Sequence, residues 1–233
     1  MRLFLALLLA VFALTPAARA ATVVIWPVDP VIRAGEQSTA MWLENKGNEP
    51  VTLQVRTFAW SQAGGEDRLD AQQVVVASPP IATVAPGARQ LVRIIRRTPD
   101  GAPENAYRLL IDELPRPAPA GPDGAVQARL AVQMRYSIPL FTHDAAVPST
   151  VQLDARIVAG AGGRMLSIRN TGTAHARLTD LRLVTGAREV TVHGGLAGYV
   201  LPGAVATFAL PAGETGRIKV GVNGTDRVLD ERA

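Results

Sequence analysis

Few residues of the sequence have the types and spacing that enzyme chemistry requires. His143, His175 and His193 lie apart from one another, and none has a second His or Cys at metal-ligand spacing. No serine stands in a G-x-S-x-G or S-x-x-K motif. Asp112 and Glu113 are adjacent on a predicted strand, where neighbouring side chains point to opposite faces. The pattern therefore disfavours an enzyme and indicates neither a metal site nor a cofactor.

Arginines on predicted strands offer a different chemistry, the binding of an anion. Arg93, Arg96 and Arg97 fit an exposed sheet face, where water solvates them. Arg108 and Arg135 lie in mid-strand among apolar neighbours, in YRLLID and VQMRYS. A guanidinium group can bind a carboxylate there with two parallel hydrogen bonds. Arg108 and Arg135 are therefore candidate carboxylate-binding residues.

Arg135 belongs to a stretch, ARLAVQMRYSIPLF at 128–141, that alternates between apolar and polar residues. This period of two predicts a strand, and six large apolar side chains share one of its faces. At about 3.3 Å per residue the stretch would be roughly twice as long as a usual strand. The apolar face of this stretch is therefore longer than one small sandwich requires, and we expect 138–141 to serve the strand's own domain and the following hinge.

Short runs of β-branched and apolar residues recur along the chain about every ten residues, which is typical of all-β sandwiches. Seven such runs predict a first sandwich, with strands over 22–26, 38–43, 51–60, 73–77, 90–97, 106–112 and 125–141. Six more predict a smaller second sandwich, over 151–158, 164–169, 175–183, 188–193, 204–210 and 217–222. Turn residues such as Asn45-Lys46-Gly47-Asn48 and Ala63-Gly64-Gly65 separate them.

Residues 1–20 have the pattern of a secretory signal peptide. Arg2 precedes an unbroken apolar run, and Ala18-Arg19-Ala20 forms a small-x-small cleavage site. The run is shorter than the ~20 residues of a membrane span, so we expect an exported protein that is not embedded in a membrane. The predicted division is a signal peptide at 1–20, a first domain at 21–142 and a second domain at 143–233.

Charge and composition narrow the class of partner. The 24 basic and 20 acidic residues are nearly balanced, and no basic run with interleaved aromatic residues occurs, so nucleic-acid binding is not expected. Cysteine is absent although export leads to an oxidising compartment, so packed cores must stabilise the fold. A protein of this size without disulfides fits a Gram-negative periplasm.

Three motifs in this order resemble the periplasmic chaperones of the chaperone–usher pilus pathway, the PapD-like superfamily. They are SPPIATVAPGARQLVRIIR at 78–96, YRLLIDELP at 107–115 and AVQMRYSIPLF at 131–141. The resemblance covers essentially all of the chain after the signal. The stretches 23–45 and 58–67 are most similar to the archaic, Csu-type branch, which serves subunits of the spore-coat-protein-U kind.

The resemblance implies an all-β fold of two immunoglobulin-like domains arranged in an L, with a pilus subunit bound between them. The chaperone's long strand would enter the incomplete fold of the subunit, and its alternate side chains would fill the subunit's groove. Carried over, Leu130, Val132 and Met134 are the donor side chains, and Ala128 and Tyr136 flank them. The chaperone would then deliver the subunit to an outer-membrane usher, without a cofactor.

The resemblance also concerns the carboxylate at the subunit's C-terminus. The better-known branch binds it with an Arg and a Lys at places where this chain has Asp29 and Pro139, so that pair does not transfer. Arg108 matches the pattern of the archaic branch, and Arg135 is the second candidate. His143 replaces an Arg that pairs between domains in many relatives, so the interdomain contact stays open.

Two other classes of function compete with the chaperone. A structural or adhesive pilus component with immunoglobulin-like domains would be expected to carry an N-terminal donor extension, but here the first predicted strand begins almost at the cleavage site. A secreted hydrolytic or carbohydrate-active β-sandwich lacks an assembled catalytic site in the sequence.

Overall fold

The structure, a computed structural model, describes residues 23–99, 101–115, 133–144, 148–160 and 163–229. The described residues form β-strands, turns and loops, and none of them is helical. None therefore belongs to a helix long and apolar enough to cross a membrane. The chain divides its strands between a first half, which ends at His143, and a second half, whose strands begin at Leu153.

The described residues of the first half form ten strands. They are β1 (Val23–Trp26), β2 (Val31–Ile32), β3 (Ser38–Asn45), β4 (Val51–Ala63), β5 (Glu66–Ala71), β6 (Val75–Ser78), β7 (Ile81–Val84), β8 (Arg89–Arg96), β9 (Glu104–Glu113) and β10 (Arg135–His143). One sheet has the order β1-β3-β8-β6, and the other has the order β2-β10-β9-β4-β5, with β7 also paired to β4.

The two sheets of the first half enclose one hydrophobic core. The alternation of the sequence directs Met41 and Ile94 inward from one sheet and Leu53, Leu109 and Leu140 inward from the other, and all five are fully buried. Burying each such side chain contributes about 1.5–3 kcal/mol, which makes this face of each strand the main source of stability.

The second half is a smaller sandwich, with seven strands among its described residues. They are β11 (Leu153–Gly160), β12 (Gly163–Asn170), β13 (Ala176–Thr185), β14 (Arg188–Val200), β15 (Val205–Ala209), β16 (Arg217–Val222) and β17 (Thr225–Leu229). Its sheets have the orders β11-β12-β15 and β14-β13-β16-β17, and Leu166, Ile168, Leu178, Leu181 and Val220 are buried between them.

The end of β10 connects the two cores. Ile138 and Leu140 pack in the core of the first half, whereas the next side chain, Phe141, packs in the cluster of the second half. Successive strand residues face opposite sides, so a single strand can supply both cores. The expectation that this stretch serves its own domain and the hinge agrees with these contacts.

Every sequence-predicted strand overlaps an observed one, but four observed strands were not predicted. β5 has the sequence EDRLDA and is exposed along its whole length, so it shows no apolar period. β2 contains two residues, and β7 and β17 are short. β5 forms because Gly64 and Gly65 both have positive φ, as a tight type I′ hairpin requires.

The predicted start of the long strand is wrong where the structure describes it. Gln133 and Met134 precede β10, which begins at Arg135. The pairing partner β9 ends at Glu113, whose main-chain N–H donates to the carbonyl of Met134 at 3.0 Å, and Pro115 follows soon after. β9 therefore has no residue beyond Glu113 with which Gln133 could pair. The rest of the prediction, at 125–132, lies outside the described residues.

Both halves contain the same buried asparagine turn. Asn45 Nδ2 donates to the carbonyls of Glu49 (2.7 Å) and Val84 (2.9 Å), and Asn170 Nδ2 donates to those of Ala174 (2.7 Å) and Val200 (2.9 Å). In each case Oδ1 accepts from the N–H of the glycine two residues later, at 2.9 Å. Each asparagine thus joins a strand end to a second segment of its own sandwich.

Candidate functional site

A cavity of about 710 Å³ lies between the two halves. Its lining comes from the start of the chain, from β9 and β10, and from β13 and β14: Val23, Ile25, Val28, Asp29, Arg108, Arg135, Tyr136, Ser137, Ile138, Pro139, Arg177, Leu196 and Tyr199. Three arginines and one acid lie in this lining, together with apolar side chains. The site therefore combines apolar area with positive charge.

A free strand edge borders this cavity. β10 pairs with β9 along all nine of its residues, but on its other side β2 pairs only with Phe141 and Thr142. Within the described residues, the outer edge of 135–140 has no strand partner. Unpaired main-chain N–H and C=O groups at such an edge can accept a further strand.

Arg108 is held at the wall of the cavity by an aromatic ring. Its guanidinium carbon lies 3.7 Å from the ring centroid of Trp60 and 5.5 Å from that of Tyr199. Its side chain is only 14% exposed, and its nearest acid is Asp67, at 3.4 Å. Burial lowers the pKa of Arg108, against the opposing effect of the Asp67 charge. The Arg108 guanidinium is partly desolvated and donates one hydrogen bond to Asp67, so its other N–H groups can bind a further carboxylate.

Arg135 is in a different position, because its charge is already paired. Its Nε donates to Asp112, which lies directly opposite on β9 and also accepts two hydrogen bonds from Arg56, at 2.7 and 3.1 Å. Burial raises the pKa of Asp112, but the hydrogen bonds from Arg135 and Arg56 together hold it below its ordinary value. Arg135 would have to share Asp112 or leave it to bind another carboxylate.

The structure describes two of the five predicted donor-strand residues. Met134 is 44% exposed and lies just before β10. Tyr136 lines the cavity and also packs against the first core, where burial raises the pKa of its phenol. Ala128, Leu130 and Val132 lie outside the described residues.

The arginines expected to be solvated divide into two kinds. Arg93 and Arg97 are exposed. Arg96 is not simply solvated, since its guanidinium donates to the carbonyls of His143 (3.1 Å) and Glu36 (3.3 Å). The expectation for Arg96 is therefore wrong, because β10 brings the His143 carbonyl within its reach.

A buried carboxylate that the sequence analysis did not single out connects the halves. Glu104 accepts hydrogen bonds from the main-chain N–H of His175 at 2.6 Å and faces His175 Nδ1 at 2.9 Å and His143 Nε2 at 3.8 Å. The His175 ring stacks on Phe141 with centroids 3.4 Å apart. His143 and His175 both lie at the boundary between the halves, and Glu104 supplies a contact between the halves that the sequence left open.

Gln62 makes a second polar contact between the halves. Its amide nitrogen donates to the carbonyl of Tyr199 at 3.0 Å, and its amide oxygen accepts from the N–H of Leu201 at 2.9 Å. Trp60 lies beside it, edge-on to the ring of Tyr199 at 5.6 Å. These contacts fix Tyr199, which lines the cavity, and the rings of Trp60 and Tyr199 flank Arg108.

The sequence also did not indicate that residues of the second half line the cavity. Arg177, Leu196 and Tyr199 lie in motifs that resemble any exposed strand, and no spacing in the sequence relates them to Arg108. The sequence does, however, carry a signal for the asparagine turn that the two halves share. Asn45 and Asn170 each precede a glycine by two residues and are each followed later by Pro-Gly-Ala, at 86–88 and at 202–204.

Comparison with known proteins places this architecture in a described class. The family model for the pili and flagellar-assembly chaperone, PapD N-terminal domain, matches residues 22–148. Among curated protein sequences, none matches this chain.

Solved structures resemble nearly the whole chain. One is a chain of the CsuC–CsuE chaperone–tip adhesion subunit pre-assembly complex from the archaic chaperone–usher Csu pili of Acinetobacter baumannii, with 29% identity and a TM-score of 0.69, over 90% of this chain and 97% of that chain. The E. coli chaperone DraB has 17% identity and a TM-score of 0.66, over 92% of this chain and 98% of its own.

A third similar chain belongs to the complex of the Salmonella enterica SafA pilin with the SafB chaperone. It has 19% identity and a TM-score of 0.64, over 91% of this chain and 99% of that one. At such low identities, the likeness to this complex and to DraB supports the two-sandwich fold.

Proposed function

Since the chain belongs to the family of pili and flagellar-assembly chaperones, we propose that it binds pilus subunits in the cavity between its halves and holds them for assembly. Chaperones of this family act by binding and not by catalysis, and we extend this to the present chain, with no cofactor. The similarity to the Csu pre-assembly complex supports a subunit of an archaic pilus as the partner, of the spore-coat-protein-U kind.

The observation that carries this proposal is the free outer edge of β10 beside an apolar, positively charged cavity. A subunit strand added along 135–140 would satisfy the unpaired main-chain groups there. The chaperone's own strand would continue back from β10 through Met134 to Val132, Leu130 and Ala128. The side chains of these residues would enter the subunit's groove. Each large side chain buried in this way would contribute about 1.5–3 kcal/mol.

Arg108 is our choice for the residue that binds the subunit's terminal carboxylate, with Arg135 second. The support is the contrast between their acidic partners: Arg108 donates one hydrogen bond to Asp67, which is 46% exposed, at 3.4 Å, whereas Arg135 is bound to Asp112, which is 13% exposed and also accepts from Arg56. A subunit carboxylate would compete with the exposed Asp67 for Arg108, whose guanidinium has further N–H donors to offer.

The proposal extends to the compartment and to the fate of the bound subunit. Residues 1–20 would direct export and be removed, 21–142 and 143–233 would form the two domains, and the protein would act in the periplasm. Release of the subunit would take place at an outer-membrane usher, which receives the complex.

Co-expression with a candidate subunit tests the proposal. We expect the two proteins to be recovered as a 1:1 complex. Arg108→Ala should weaken the complex by roughly ten- to hundredfold, since a hydrogen bond to a charged group is worth about 1.5–3 kcal/mol. Met134→Asp should weaken it as well, because it places a charge in the apolar groove. Affinity is measured by titration calorimetry or surface plasmon resonance.

Two variants control for charge and exposure. Arg93→Ala removes an exposed strand arginine outside the cavity, and Val228→Asp adds an acid at a position 48% exposed, close to the 44% of Met134. Both should bind like the parent. If Arg108→Ala and Met134→Asp retain the subunit as well as these controls do, the proposed site is wrong.

A further inference from the structure

The second half contributes an arginine of its own to the cavity. Arg177 lies on β13, between Ala176 and Leu178, which are both buried in the second core. Strand alternation therefore directs the Arg177 side chain away from that core, and it lines the cavity together with Leu196 and Tyr199. The cavity thus has a cationic wall on each side.

Among the cavity arginines, Arg177 has the least balanced charge. Arg135 and Arg108 each have an acidic partner. Within the described part of the chain, no carboxylate forms an ion pair with Arg177, and no hydrogen bond of its guanidinium is found. The acid in the cavity lining, Asp29, is exposed and lies on the opposite wall, near the start of the chain.

One aromatic ring relates Arg177 to Arg108. Arg177 lies directly opposite Tyr199 in the β13–β14 ladder, where cross-strand side chains on one face are about 5 Å apart at Cβ. The Arg108 guanidinium lies 5.5 Å from the same ring, from the first half. Arg108 and Arg177, from different halves, therefore both approach Tyr199, Arg108 through its guanidinium and Arg177 through its cross-strand position. A carboxylate has about four lone-pair sites, enough to accept hydrogen bonds from both.

We propose that Arg177 is a second anion-binding residue, and that it and Arg108 bind one carboxylate of the subunit from opposite sides of the cavity. This inference rests on the proposed function, and it adds a specific role for the second half. The bound carboxylate would connect both halves, so neither half alone would bind the subunit with full affinity. The carboxylate belongs either to the subunit's C-terminus or to an acidic side chain near it.

The test measures binding of the full chain, after removal of 1–20, to a peptide with the sequence of the subunit's C-terminal strand. The peptide is prepared as the free acid and as the C-terminal amide. Arg177→Gln should weaken binding of the free acid about tenfold. The double variant Arg108→Gln/Arg177→Gln should lose less than the product of the two single losses, because both residues bind the same group.

The two peptides distinguish the sources of the carboxylate. If the terminus is the ligand, the amide binds weakly and Arg177→Gln has no further effect on it. If an acidic side chain is the ligand, the amide binds like the free acid and still depends on Arg177. Arg156→Gln is the matched control, because Arg156 is exposed on β11, away from the cavity.

Three results would overturn the inference. They are equal binding by Arg177→Gln and Arg156→Gln, losses from Arg108 and Arg177 that multiply independently, and an Arg177→Lys variant that binds no better than Arg177→Gln. If Arg177→Gln melts well below the parent, Arg177→Lys replaces it as the test. Arg177→Lys is then expected to lower the affinity for the free-acid peptide a few-fold. If the unmutated protein binds the subunit but any of these three results is found, the Arg177 inference is wrong and the proposed function stands. If the unmutated protein binds no subunit, both the inference and the proposed function are wrong.

Discussion

The two halves of the chain share a buried asparagine turn but treat their strand edges in opposite ways. Asn45 and Asn170 each make the same three hydrogen bonds at corresponding places in the two sandwiches. The last strand of the second half, β17, has exposed charged residues, Asp226 and Arg227, at the sheet edge. Charges of this kind discourage further strand pairing.

The last strand of the first half carries one exposed charge, Arg135, at its start, and no charged residue from 136 to 142. In β10, the side chains from Ile138 to Thr142 are all buried, and the outer edge of 135–140 borders the cavity. The framework is therefore common to both halves, whereas the unpaired edge beside the cavity belongs to the first half. The proposed function depends on this edge, which the fold type alone would not reveal.

The largest expected effect on stability comes from truncating two adjacent residues of β10, one in each core. Leu140→Ala and Phe141→Ala should each lower the free energy of unfolding by about 3–5 kcal/mol, because each leaves a cavity in a packed core. Leu140→Ala should reduce hydrogen-exchange protection mainly in the first half, and Phe141→Ala mainly in the second. If Phe141→Ala left protection of the second half unchanged, β10 would not connect the two cores.

A smaller effect tests the equivalence of the two turns. Asn45→Ala and Asn170→Ala should each cost about 2–3 kcal/mol, since buried carbonyls lose their donors. Chemical denaturation of both variants should give similar losses, and Asn48→Ala, at an exposed position in the first turn, should be near neutral. A large loss for one asparagine and none for the other would break the comparison between the halves.

The sequence allowed the strands with an apolar period to be predicted, because burial on one face leaves that period in the residues. It did not reveal β5, whose residues are all exposed and whose pairing depends on the preceding two-glycine turn. Within the site, Arg108 could be chosen from its apolar neighbours. Arg177 could not, because it reaches the cavity only through the packing of the two halves.

The acidic partners of the site residues could not be predicted from the sequence either. Asp112 was visible in the sequence only as the neighbour of Glu113, and its pairing with Arg135 depends on the register of β9 and β10. Glu104 gave no signal at all, since a lone acid near a strand start is usually solvated. Long-range contacts between strands decide which charges are available, and a single sequence does not contain them.

The smallest expected effect concerns the Arg135–Asp112 pair. Arg135 is 61% exposed, so Arg135→Ala should cost at most about 1 kcal/mol of stability. Because the pKa of Asp112 is lowered in the folded state, the stabilisation is present above the unfolded-state pKa of about 4 and is lost as pH falls through the folded-state value. Urea denaturation at several pH values measures this.

The comparison for this pair is Lys219, which faces Asp226 at 3.5 Å on the edge hairpin of the second half. Lys219→Ala should have a similarly small effect on stability. If Arg135→Ala instead cost several kcal/mol, Arg135 would be a main determinant of the β10 register, and its role as second candidate for the subunit carboxylate would have to be abandoned.

The Glu104 and Gln62 contacts have a consequence for the entropy of association. Glu104 is almost fully buried against His175, and Gln62 joins two main-chain groups of the second half. The two sandwiches therefore lose their relative orientational freedom when the chain folds, before any partner arrives. A ligand that contacts both walls of the cavity meets a preorganised site, so less of its interaction energy is spent on ordering the protein.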